Sequence, residues 1–279
     1  MPPIGRSFGR GLLTVVSSPV LLLVALLAPL LAWLAVLALG YEGPPAPLVY
    51  LLAIPPISTI FDLGAGSSAL GIGPAFLVFL TISMLLRATV YSVVAGMIVE
   101  ALEDGRVSMY GMLRGLRAIP TVIVVEVLSF SLIITSQLVF PVLGPGIGLL
   151  AQLAALVGGV YFLGFAPTAS IRQGRRMPDT IRRSGRAAML PGSQHLLFCS
   201  IYSFFVVFVL PPLPPRGAEI TANPSLATWV FTLAVNVLHL GFMAALSYRW
   251  IVAEPSVPEE PVRRRQGAGR SSARPRGRR

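Results

Sequence analysis

Residues Pro74–Leu128 read PAFLVFLTISMLLRATVYSVVAGMIVEALEDGRVSMYGMLRGLRAIPTVIVVEVL. From Pro74 to Val99 the run is apolar, with Arg87 its only charged residue. A helix that crosses a bilayer needs about 20 mostly apolar residues, and this run is long enough. Glu100, Glu103 and Asp104 then cluster ahead of Gly105, which reads as a solvated turn. Ser108–Ala118 follows as a short helix with Ser108 as its N-cap. Arg114 and Arg117 share one face of it, while Met109, Met112, Leu113 and Leu116 line another. Pro120 ends that stretch, because proline suits the first turn of a new helix and disfavours helix in the residue before it. A second apolar run begins there, with Glu126 as its only charge up to Phe140.

The same reading extends outward in both directions. Six apolar segments are expected to span: Pro19–Leu39, Pro74–Val99, Pro120–Phe140, Gly146–Phe165, His195–Leu210 and Ser225–Ile251. The fold class implied is an all-α membrane protein, a six-helix transmembrane bundle over residues 1–253. Hydrophobic residues make up 54% of the 279 and charged ones 12%, with mean hydropathy +0.78. Soluble domains carry about 25% charged residues, so composition agrees with the segment reading. From Glu254 onward Pro, Gly, Ser and Arg dominate, and residues 254–279 read as a disordered basic tail. The outer loop Gly40–Gly73 contains an apolar piece, Pro47–Ile54, too short to span and expected to be interfacial or re-entrant.

Arginine placement orients the bundle. The chain has no lysine, so all 22 basic residues are Arg. They concentrate at the N-terminus (Arg6, Arg10), after the second segment (Arg106, Arg114, Arg117), after the fourth (Arg172, Arg175, Arg176, Arg182, Arg183, Arg186), and from Arg249 into the tail. The other three loops hold only Arg216. Arg is retained on the cytoplasmic side, so both termini are expected inside, in an inner or plasma membrane. An Arg-rich, Asn-poor composition (Asn223 and Asn236 are the only asparagines) points to a bacterium with a GC-rich genome.

A threefold pattern accompanies the charges. Ile4–Ser18, Ser108–Ala118 and Asp179–Leu190 are short basic amphipathic stretches, closed by Pro19, Pro120 and Pro191. Each reads as a helix on the inner leaflet, a break, then a span, with Asp179 expected to cap the third. Arg183 and Arg186 repeat the Arg-x-x-Arg spacing of Arg114 and Arg117. These four are candidate contacts for anionic lipid headgroups or a cytoplasmic partner. The alternative is that they only set topology.

Tyr91–Leu128 (YSVVAGMIVEALEDGRVSMYGMLRGLRAIPTVIVVEVL) resembles a group of bacterial six-helix membrane proteins. That group includes the membrane domain found beside some glycerophosphoryl diester phosphodiesterases. Met177–Gly192 (MPDTIRRSGRAAMLPG) resembles the group's second basic helix, and the N-terminus is loosely similar. The resemblance implies a six-helix architecture. The group's catalytic domain is not among these residues, so phosphodiesterase activity is not implied.

Polar residues inside the apolar segments supply the site candidates. A central Arg in a bilayer costs about 2.5–3.5 kcal/mol even on the lenient insertion scale, so Arg87 must face protein, water or a partner. At 1.5 Å per residue, Arg87 lies roughly 16 Å from the inner end of its helix and Glu126 roughly 9 Å from its own, a gap two long side chains can bridge. Thr228, Thr232, Asn236 and His239 form a stripe on the last segment. Glu126, Ser129, Ser136 and Gln137 form another on the third. Two readings stay open: a polar cavity around Arg87, Glu126, Asn236 and His239, as in a transporter or permease component, or a structural pair in a non-enzymatic protein that binds lipids or partners.

Catalytic motifs are missing. The two histidines, His195 and His239, are far apart and form no His-Glu-x-x-His, and no Gly-x-Ser-x-Gly context frames a nucleophile. The single cysteine, Cys199, rules out an internal disulfide and a cysteine-based zinc or iron–sulfur site. No cofactor, metal or specific nucleic acid is expected.

Overall fold

A computed structural model describes residues 1–24, 30, 74–174, 176–192, 194–209 and 225–258. Among these the chain is helical, with no strand. Most of the expected first span and the tail from residue 259 lie outside the described residues, as does the whole outer loop up to residue 73.

Nine α-helices are described: α1 (Ile4–Val16), α2 (Pro74–Asp104), α3 (Met109–Leu116), α4 (Ile119–Gln137), α5 (Val139–Leu163), α6 (Ala166–Gln173), α7 (Met177–Ala188), α8 (His195–Phe204) and α9 (Leu226–Ala253). Four stretches are long and apolar enough to cross a membrane: Met84–Asp104, Ile119–Ser136, Pro141–Gln173 and Trp229–Ser256. The His195 segment differs from expectation. It holds ten α-helical residues followed by a π-helical turn over Phe205–Val209, and falls short of that class.

Local chemistry sets the ends. α2 has 31 residues, about 46 Å of helix, and stops where Gly105 takes φ 70°. α3 starts at Ser108, whose side chain accepts from Tyr110 N at 3.1 Å. Within α5, Gly144 takes φ 82° and ψ 169°, which breaks the helix ahead of Pro145. That break follows from the clash of a proline ring with a helical predecessor. Gly174, at φ 57°, closes α6. Asp179 is not the cap of α7. The helix opens at Met177 after Arg176, with Pro178 in the first turn, so Asp179 sits inside that turn where a carboxylate favours the helix dipole.

The three arginine-bearing short helices do not lie apart from the bundle. Each packs a row of small residues onto a long helix. On α3 a Cβ at Gly115 would come 2.3 Å from the Ser92 carbonyl oxygen, and on α2 a Cβ at Gly96 would come 2.2 Å from that of Gly111. Only glycine permits this approach, and the contacts show α3 folding back antiparallel along the end of α2. α1 docks on α9 in the same way, with Gly11 against Gly241 and Ala245. Phe8 meets Phe242 at 4.9 Å between ring centroids. α7 offers Thr180, Ser184 and Ala187, all buried, and Ser184 Oγ donates to the Phe162 carbonyl of α5 at 2.7 Å.

α6 sits inside this assembly, with Ala166–Ile171 buried. Hydroxyl pairs tie it to its neighbours: Thr168–Ser247 at 2.9 Å to α9, and Thr121–Ser170 at 3.1 Å to α4. The result is a closed collar at one end of the bundle, where α2 and α9 bury most of their surface. Toward the other end of α4 and α5, Leu128, Leu132, Ile134, Ile147 and Leu150 are exposed. Exposed aliphatic side chains in such a continuous band fit contact with lipid.

Candidate functional site

Arg87 and Glu126 are brought together. The Nε–Oε1 distance is 3.9 Å, and the side chains are 2% and 0% exposed. Ala88 and Ser129 beside them are also buried. A guanidinium and a carboxylate in this position attract each other, which offsets part of the cost of taking either out of water.

Asn236 and His239 are buried on α9. His239 Nδ1 lies 3.1 Å from the Tyr202 hydroxyl on α8, so the bond that fixes its ring joins α8 to α9. Ser136 turns its hydroxyl back to the Ile133 carbonyl at 2.6 Å. The side chains of Thr228, Thr232 and Gln137 lie outside the described residues. The cavity beside Arg10 and Arg106 and the one beside Tyr161 and Leu196 are not lined by Arg87, Glu126 or His239.

A second arginine, which in the sequence carries only a topology signal, is also buried: Arg249 is 0% exposed. Its Nη1 donates to the Pro2 carbonyl at 2.8 Å and to Ser7 Oγ at 3.2 Å, and its guanidinium lies 5.0 Å over the Phe198 ring. One side chain thus joins the N-terminus, α8 and α9. Nearby, His195 stacks on Phe165 at 4.3 Å, and its Nε2 lies 3.6 Å from Cys199 Sγ. Both residues are 0% exposed.

Of the three acids that end α2, Glu103 and Asp104 are exposed, as a solvated turn would have them, but Glu100 is not. Glu100 is buried, and it accepts from Ser108 N at 2.8 Å, Ser108 Oγ at 2.5 Å and Gly111 N at 3.0 Å. It therefore caps α3 from the neighbouring helix, satisfying N–H groups that a helix start leaves open. Glu103 pairs with Arg114 at 2.9 Å and also with Arg172. Arg172 reaches Glu254 at 2.6 Å, and Gln173 donates to the same carboxylate. This chain of charges closes the collar from α3 to the end of α9.

The four expected headgroup arginines take different places. Arg117 is exposed. Arg114 is held by Glu103 and lies 5.8 Å over the Tyr110 ring. Arg183 is 8% exposed, on the face of α7 that meets the bundle. Arg186 donates to the Pro258 carbonyl at 3.3 Å.

Among the described residues no group of His, Cys, Asp and Glu is arranged to hold a metal ion. The fold and the buried charges define an α-helical protein with four helices able to cross a membrane. Compared with family models, curated proteins and solved structures, the chain matches none.

Proposed function

We propose that the chain is a bacterial inner-membrane protein of six spans, with both ends in the cytoplasm. In this reading it is non-enzymatic, and the collar is its working part, an arginine-rich platform that engages anionic lipid at the inner leaflet. The observation that carries the reading is α3. Gly111 and Gly115 face α2, while Met109, Tyr110, Met112, Leu113 and Leu116 are exposed beside Arg117. A helix with one face on the protein, long apolar side chains outward and a free arginine at its end fits the headgroup boundary of a bilayer. A transport pathway through Arg87 is the less favoured reading, since Arg87 and Glu126 are closed on each other.

Two experiments test it. In a Cys199→Ala background, Val142→Cys and Ser225→Cys label from outside, and Met109→Cys and Asp179→Cys do not. These sites avoid Gly105, Gly144 and Gly174, whose positive φ a cysteine would strain. Outside labelling at Met109 sinks the topology. For the platform, the full chain in nanodiscs of mixed phosphatidylglycerol and phosphatidylcholine retains the anionic lipid preferentially, and salt weakens that preference. Equal retention of both lipids at low salt refutes it.

A further inference from the structure

A cavity of about 280 Å³ opens between the end of α1 and the turn that follows α2. Its lining includes Arg10, Leu13, Ser17, Ser18, Val20 and Arg106, and no carboxylate lines it. Among the described residues neither guanidinium makes an ion pair or a hydrogen bond, although Glu100 lies within electrostatic reach of Arg106. Glu100 itself is already occupied by Ser108 and Gly111. Two like charges facing one space repel unless an anion sits between them. The Ser18 hydroxyl has no hydrogen-bond partner among the described residues, so it is available to donate into the same space.

We propose that this cavity binds the phosphate of one membrane phospholipid, with Arg10 and Arg106 on its oxygens. Guanidinium forks match phosphate geometry, and Ser18 supplies a third donor. The source of the phosphate is argued from what borders the cavity. Leu13 and Val20, which line the cavity, are 59% and 40% exposed, and Val16 and Leu23, three residues further along the chain from each, are 55% and 53% exposed. A free anion has no use for apolar side chains at the rim, whereas an acyl chain attached to the phosphate would cover them. A lipid in this position would join α1 to the α2–α3 turn. The inference rests on the lipid-binding reading above and adds to it a discrete site.

The test uses the full chain in neutral detergent, titrated with headgroup-labelled phosphatidylglycerol. Saturable binding is expected, weaker for phosphatidylcholine, whose ammonium meets the same arginines. At about 1 kcal/mol per arginine, Arg10→Ala and Arg106→Ala each weaken binding about fivefold, and the double variant roughly twenty-fivefold. Arg6→Ala, one turn earlier on α1 and outside the cavity, leaves it nearly unchanged. If Arg6→Ala weakens binding as much as Arg10→Ala, attraction is diffuse. That overturns the cavity while the platform stands. If inorganic phosphate alone binds as tightly, with the same arginine dependence, the lipid assignment is overturned. If phosphatidylglycerol has no advantage over phosphatidylcholine at all, both the cavity and the platform fail.

Discussion

Arg87 and Arg249 are both buried, yet the two regions that hold them solve different problems. Arg87, within α2, faces a carboxylate from α4 at 3.9 Å, so one charge answers another. Arg249, in the collar, is bonded to a carbonyl and a hydroxyl and stacked over an aromatic ring, all neutral groups. Charge balance needs only two helices at matched depth. Holding a guanidinium with dipoles needs several elements placed around it, here the N-terminus, α1, α8 and α9. The first arrangement joins two helices, and the second makes one side chain a joint for the whole collar.

The largest expected effect breaks the first region. Arg87→Leu and Glu126→Leu each strand a buried charge, a loss of about 3–5 kcal/mol for a buried pair. The double variant leaves no stranded charge and recovers part of that loss. Thermal unfolding of all four forms in detergent gives the coupling. Simple additivity would mean that the 3.9 Å contact carries no energy, and an open polar path past Arg87 would regain weight.

Next in size is the second region. Arg249→Met keeps the length of the side chain and removes its donors. The Pro2 carbonyl and Ser7 hydroxyl then lose a charged partner, about 1.5–3 kcal/mol for such hydrogen bonds. The loss is shared among elements, so the expected signature is local. Hydrogen exchange rises in α1 and at the start of α8 while the middle of α4 keeps its protection. A uniform rise across all helices would make Arg249 a general core residue and erase the contrast with Arg87.

How far the sequence reveals each region follows the same division. Apolar run length locates α2, α4, α5 and α9, because crossing a bilayer is a constraint on one segment at a time. The meeting of Arg87 and Glu126 follows from two depths measured along neighbouring helices. The collar is harder to read, because its partners are distant. Arg249 and Pro2 are 247 residues apart, and Arg172 and Glu254 are 82 apart. Glu100 looked solvated because acids at a helix end usually are, and nothing local says that α3 folds back over it. One signal was available. Ser7/Gly11/Thr14 and Thr180/Ser184/Ala187 repeat small residues at i, i+4 and i+7 within α1 and α7, and Gly111/Gly115 of α3 continue the same spacing to Ala118 just beyond its end, the pattern of a face that packs closely. It also explains why Arg183, one residue before Ser184, is carried into the interface instead of out to solvent.

The smallest effect separates two of the contacts that hold α3 to α2, glycine packing and the Glu100 cap, with the Glu103–Arg114 pair left in place. Glu100 Oε2 takes the N–H groups of Ser108 and Gly111, and Oε1 takes the Ser108 hydroxyl. Glu100→Gln can keep its amide oxygen on the two N–H groups and turn its NH₂ toward Ser108 Oγ, which then accepts. Little stability is lost. Glu100→Ala removes every acceptor and opens space beside Gly111, with a cost near that of deleting a helix cap, about 1 kcal/mol. Hydrogen exchange over residues 108–116 reads the difference, with the alanine variant exchanging faster and the glutamine variant close to the parent protein. Unchanged exchange in the alanine variant would leave the Gly96, Gly111 and Gly115 contacts and the Glu103–Arg114 pair as the anchors of α3. Equal fraying in both variants would show instead that the full negative charge of Glu100 is required, beyond its shape and its acceptor oxygens.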